Sequence, residues 1–317
     1  MMSDKKMEEK TGKKMKDKTR KKIKEKIAAI MGCQEDEILE VTDMERGMTN
    51  RSYLFTYKKK QYIARTPGEG TEKLILRKRE YEVYKTIEPL NICDDVIYMN
   101  PETGIKITVY WQDAKVCDPF NEEDVKACMK VLRKFHASGL KVQHAFDIWE
   151  RINFYERLWQ GAPSKYADYQ TTKANVSQLK DFVDNLSLDY VLTHIDAVPD
   201  NFLFIDGHHD SEIRLIDWEY SAMQDPHLDI AMFAVYSMYE HDKVDELIDA
   251  YFTKGCEDIV RRKIYAYIAM CGLLWSNWCE FKLQMGVDFG EYALKQYAFA
   301  KDYYAIFKET EESHEAS

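Results

Sequence analysis

The sequence predicts an α+β protein of two lobes, a small N-terminal lobe with an antiparallel sheet and one helix, and a larger, mainly helical C-terminal lobe. Two observations predict it. Between residues 38 and 110, short runs that alternate polar and apolar residues flank a single helical stretch. From Asn121 onward the pattern is helical apart from one β-like interruption at residues 191–217. At 317 residues, 45% hydrophobic, the chain can give each lobe its own core.

Residues 38–41 and 52–57 alternate, as do 61–64 across a turn at 58–60, and together they read as an antiparallel meander. Residues 72–87 read as a helix, with Leu74, Leu76, Tyr81, Val83 and Tyr84 among its apolar positions. Residues 95–98 and 105–110 read as two more strands, joined by the turn at 100–104. Asn121 is a suitable N-cap, Asp124 nearly completes a capping box, and Val125, Met129, Leu132 and Phe135 share a face. Further helices are expected at 176–185, 244–252, 259–283 and 292–307. The expected division is a basic extension over 1–30, an N-lobe over 31–115 and a C-lobe over 116–317.

The net charge of −10 is unevenly spread, with twelve Lys/Arg against five Asp/Glu in residues 1–30. That arm has no aromatic residue to anchor it in a membrane, so it reads as a solvated, fraying extension, helical towards residues 23–30. The acidic remainder argues against nucleic acid as a partner. Seven cysteines, an odd number without a C-x-x-C pair, read as reduced thiols. His208 and His209 read as a polar turn rather than zinc ligands. No apolar stretch follows the lysine-rich start, and the uncharged run 264–279 is short for a bilayer, so a cytoplasmic protein without a transmembrane segment is expected. The oligomeric state is not legible.

The chemistry concentrates in the interruption. Its first half holds His194, Asp196 and Asn201 in the spacing H-x-D-x-x-x-x-N, between the apolar triplets Val191-Leu192-Thr193 and Phe202-Leu203-Phe204. Its second half ends in Ile216-Asp217-Trp218-Glu219. Phosphoryl transfer from ATP needs a carboxylate to orient and deprotonate the acceptor hydroxyl, and hard oxygen ligands to hold Mg²⁺ on the phosphates. Asp196 can supply the first; Asn201 and Asp217 can supply the second from opposite sides of a hairpin. Three fixed residues at this spacing arise by chance in about 0.02–0.03 of chains this long, so the loop carries information. His194 reads as a residue that packs and hydrogen-bonds within the catalytic loop rather than one that carries protons.

On these residues, residues 38–307 resemble the choline/ethanolamine kinase family, in the aminoglycoside-phosphotransferase-like branch of the protein-kinase-like fold. The other matching pieces are Gly47-Met48-Thr49-Asn50-Arg51-Ser52-Tyr53, residues 64–71, Ile216 to Tyr220, and Asp225 to Ala231. The resemblance implies that Gly47, Thr49 and Asn50 form a turn whose backbone N–H groups approach the ATP phosphates. It implies that Arg65 binds phosphate, and Glu80 on the following helix is the expected partner that holds it; Arg77 and Arg79 read as alternative groups facing solvent or phosphate. Asp229 would brace the catalytic loop, and adenine would meet backbone groups near residues 110–113.

A quaternary ammonium has no N–H to donate, so it is selected by aromatic faces and a nearby carboxylate. The resemblance implies a cage of Tyr220, Trp275 and Trp278, with Glu219 or a neighbour supplying charge; the plainer alternative is that the tryptophans are core, with Leu273, Leu274 and Phe281. Tyr236 and Tyr239 are further aromatic candidates. The expected activity is phosphorylation of choline by Mg·ATP. The alternatives are ethanolamine or an aminoglycoside as acceptor, or a catalytically inactive kinase fold serving as a binding module, against which stand Asp196, Asn201 and Asp217, all present.

Overall fold

The computed structural model describes residues 19–44, 50–68, 75–208 and 212–315. The chain divides into two compact units, one running to Glu82 and including Cys93–Ala114, the other comprising Val83–Ile92 and the residues from Lys115.

The first unit is built on five antiparallel strands in the order β1-β2-β3-β5-β4: β1 (Leu39–Met44), β2 (Asn50–Tyr57), β3 (Lys60–Pro67), β4 (Val96–Met99) and β5 (Lys106–Val109). The β2–β3 turn puts Lys58 and Lys59 at φ +48° and +65°, the paired left-handed conformation that matches the twist of a tight hairpin. Helix α1 covers residues 19–31. Its Ile23, Ile27 and Ala28 pack with Ile38, Tyr53, Phe55, Ala64 and Ile107 in this unit's core. Residues 19–30 are therefore not the solvated extension expected, because Ile23 and Ile27, four apart, form an apolar face that the sheet buries. Residues 1–18 lie outside the described residues. Helix α2 (Arg77–Ile87) starts later than expected, since 75 and 76 are not helical; Leu74 lies outside the described residues.

In the second unit, α3 (Glu122–His136) is capped by Asn121, whose side chain accepts from the N–H groups of Glu123 and Asp124 at 3.1 Å. The capping box is not completed. The Asp124 carboxylate accepts instead from the Asp118 N–H at 3.0 Å and from Lys115 at 2.7 Å, so it ties down the segment entering the helix. Then come α4 (Ile148–Leu158), α5 (Tyr169–Asp184), α6 (His227–Tyr236), α7 (His241–Tyr251), α8 (Asp258–Gln284) and α9 (Glu291–Glu315). Between α5 and α6 lie β7 (Val191–Thr193), β8 (Phe202–Phe204), β9 (Ile213–Leu215) and β10 (Ala222–Gln224); β6 (Lys115–Val116) and β9 flank β8, and β10 pairs with β7. Helix α8 is buried on almost all sides from Lys263 to Glu280 and forms this unit's axis. Among the described helices, none is long and apolar enough to cross a membrane, and all seven cysteines are free.

Candidate active site

The short strands β7, β8 and β9 position the loop of residues 194–201. Thr193 ends β7, and the chain then turns through Ile195 at φ +71°, a conformation that crowds a β-branched side chain. Asp229, wholly buried on α6, holds that turn: its carboxylate accepts the N–H of His194 at 2.9 Å and of Ile195 at 2.7 Å. His136 bonds the same carboxylate at 2.9 Å, and its other nitrogen meets the Tyr251 hydroxyl at 2.8 Å. His194 is fully buried, faces the carbonyl of Ile216 at 2.9 Å and packs edge-on against Trp218. Burial lowers its pKa, so its neutral ring donates from Nε2 to that carbonyl. It anchors the loop.

Asp196 follows the turn. Asn201, in a 3-10 turn opened by Pro199, donates from Nδ2 to the carbonyl of Asp196 at 2.8 Å, so its Oδ1 is the side-chain atom able to accept a hydrogen bond or ligate a cation. β8 pairs with β9, Phe202 opposite Leu215, and the Ile216 N–H reaches the Asn201 carbonyl at 2.9 Å. Asn201 and Asp217 thus stand at the same end of one hairpin. Asp217 itself sits at φ +67°, and it offers a carboxylate oxygen within 4.8 Å of one from Glu219. Burial, then the carboxylates of Asp217 and Glu219, push the Asp196 pKa up to about 8. A cluster of acids this close is poised for a cation that would relieve it.

A pocket opens beside Asp196. Tyr220 and Trp275 line it, with Phe146, Arg151, Tyr155, Ile195, Met232 and Leu274. Asn277 fixes the rotation of α8: its side-chain amide donates to the Ile152 carbonyl and the Tyr169 hydroxyl, and its main-chain carbonyl accepts from Trp159 Nε1. Trp275 then faces the pocket, while Trp278, 2% exposed, packs at a tilt of 39° against Phe289, ring centroids 4.9 Å apart, and meets Trp275 edge-on at 5.5 Å.

In the first unit, Arg65 on β3 and Glu80 on α2 form a buried ion pair. Arg77 is the second partner of Glu80, at 3.0 Å, and bonds the Asn50 side chain at 2.8 Å, whereas Arg79 is exposed. Gly47 and Thr49 lie outside the described residues.

The sequence model of the choline/ethanolamine kinase family matches residues 41–248. The chain belongs to this family. It is a kinase that transfers a phosphoryl group to an alcohol, and its small-molecule acceptor is of the choline or ethanolamine type. The structure of the choline kinase LicA from Streptococcus pneumoniae is 30% identical, with a TM-score of 0.78, over 90% of this chain and 99% of that one. A structure of LicA in complex with AMP is also 30% identical, with a TM-score of 0.77, over 91% and 99%. Protein LicA of Haemophilus influenzae is 26% identical over 79% of this chain and 76% of its own. The fold is the protein-kinase-like one, and the nucleotide it uses is ATP.

Two of the expected acceptor residues stand outside the lining of this pocket. Trp278 does not line the pocket, because its ring is turned into the packing between α8 and Phe289. Glu219 is buried beside Asp217 rather than in the pocket wall. Tyr239 is buried and donates to the Pro119 carbonyl, and Tyr236 donates to Asp200 at 2.6 Å. Sequence reasoning missed Phe146, Arg151 and Tyr155. The last two lie on α4, whose i, i+4 spacing could have flagged one shared face.

Proposed function

We propose that this kinase phosphorylates choline, using Mg·ATP. The observation that carries the reading is the placement of the Asp196 carboxylate at a mostly apolar pocket faced by Tyr220 and Trp275. Aromatic faces attract a quaternary ammonium that offers no hydrogen bond, and the hydroxyl two carbons away would reach towards Asp196. The likeness to the LicA choline kinase supports the same reading.

Asp196 would orient the hydroxyl and accept its proton as the acceptor oxygen bonds the γ-phosphorus, the bond to the bridging oxygen breaks and ADP leaves. The donor set fits Mg²⁺, which takes hard oxygens: Asp217, with Asn201 Oδ1 and Glu219 beside it, would hold it. When bound, the ion neutralises charge on the phosphates and would draw the Asp196 pKa down. Arg65, kept in place by Glu80, would bind phosphate, with Asn50, at the start of β2, fixed through Arg77. An ADP-release assay with choline, ethanolamine, homoserine and kanamycin tests the acceptor. Choline should give the highest kcat/KM; preference for another would overturn the choice.

A further inference from the structure

Arg151 projects from α4 into the pocket wall that holds Tyr220 and Asp196. Its guanidinium carbon lies 5.9 Å from the Tyr220 ring centroid, 5.8 Å from Phe146 and 5.4 Å from Phe154. The protein's own cation therefore stands within cation–π range of the ring assigned to the acceptor's cation. We propose that Arg151 determines acceptor specificity by competing for this aromatic surface, so that the pocket admits a single compact ammonium head and disfavours polycations. The inference rests on the choline-type acceptor proposed above.

Two arguments lead to the same sign. If the ammonium approaches the ring face that Arg151 covers, the guanidinium must give way. If it approaches the other face, the ring's quadrupole is already engaged and the two charges repel through a thin, poorly screening layer. Either way the positive charge on Arg151 weakens binding of an incoming cation. The penalty grows with the acceptor's charge, so a diammonium or an aminoglycoside suffers more than a monocation. A pocket selective for choline-type head groups could have relied on aromatic walls alone; the arginine adds a repulsive element directed at more highly charged amino alcohols.

The test compares the full-length wild type with Arg151→Met, which keeps a long apolar stem, and Arg151→Lys, which keeps the charge. Tetramethylammonium, which has no hydroxyl, is the probe of the cation site, and its inhibition constant is read against whichever acceptor the wild type turns over best. Arg151→Met should lower that constant and the choline KM about threefold to tenfold, leave the KM for ATP as it was, and lower the KM for kanamycin by a larger factor. Arg151→Lys should stay within about threefold of wild type. An Arg151→Met protein that melts like the parent but binds tetramethylammonium no better, or worse, overturns the proposal. So does equal tightening in Arg151→Lys, which would make the effect one of shape. Failure of the wild type to use choline would overturn the acceptor reading instead, and the tetramethylammonium constants would still decide the role of Arg151.

Discussion

The Ile195 N–H donates to Asp229 Oδ1 at 2.7 Å, and this bond holds Ile195 at φ +71°. A β-branched residue adopts that conformation only where its surroundings impose it, and here the result is to set the direction of Asp196, the next residue. Asp229→Ala should strip the acceptor from the N–H groups of His194 and Ile195 and from His136. Both the melting temperature and kcat should fall, the former by at least about 5 °C, since buried donors left unpaired cost about 1–3 kcal/mol each. Thermal melts and steady-state rates check this; an unchanged kcat would mean that the loop does not need the brace.

For the metal, Asp217→Ala should abolish Mg²⁺-dependent nucleotide binding, because an ion held by few protein oxygens cannot spare its main carboxylate. Asn201→Ala should act in the same direction and less severely. Titration calorimetry with Mg·ATP measures both, and parent-like affinity in Asp217→Ala would place the ion elsewhere.

The two tryptophans should separate cleanly. Trp275→Leu keeps apolar bulk and removes a π face from the pocket, so the choline KM should rise roughly tenfold, about 1.4 kcal/mol. Trp278→Leu should instead lower the melting temperature and leave the choline KM of the folded protein within about twofold, as a buried packing residue would. The reverse pattern would restore Trp278 to the cage.

Asp196 makes stability depend on pH. Its folded pKa of about 8 lies above the ordinary carboxylate value, so between roughly pH 4 and 8 the folded state binds more protons than the unfolded chain. Its contribution is fully present below pH 4 and is lost as pH rises through 8. In chelator, the gap in melting temperature between Asp196→Asn and wild type should therefore widen by a few degrees from pH 5 to pH 8, in favour of the variant. A gap that is constant or narrows would show that Asp196 already ionises normally without the ion.

The sheet, the Asn121 cap and the hairpin that carries residues 194–217 were legible because each depends on local signals: alternation, a capping side chain, and fixed spacing. Helix α4 was not, although Ile148, Ile152 and Tyr155 are its buried face, because Trp149, Phe154 and Leu158 blur the apolar periodicity. The packing of Trp278 away from the pocket lining was hidden for a related reason. An i, i+3 spacing places two rings on one side of a helix, but the contacts of Asn277 with α4 and α5 decide which ring meets the pocket. The core role of residues 19–30 was obscured by their charge, which lies on the face that Ile23 and Ile27 do not use.

The most direct measurement is ADP release with choline and Mg·ATP by the wild type beside Asp196→Asn. The variant loses the proton acceptor and keeps Asn201, Asp217 and Arg65. The prediction is choline-dependent turnover in the wild type and less than about a tenth of that kcat in the variant, with Mg·ATP binding nearly intact by calorimetry. Choline-dependent turnover in the variant above about a tenth of the parent kcat would contradict the assignment of Asp196 as the base.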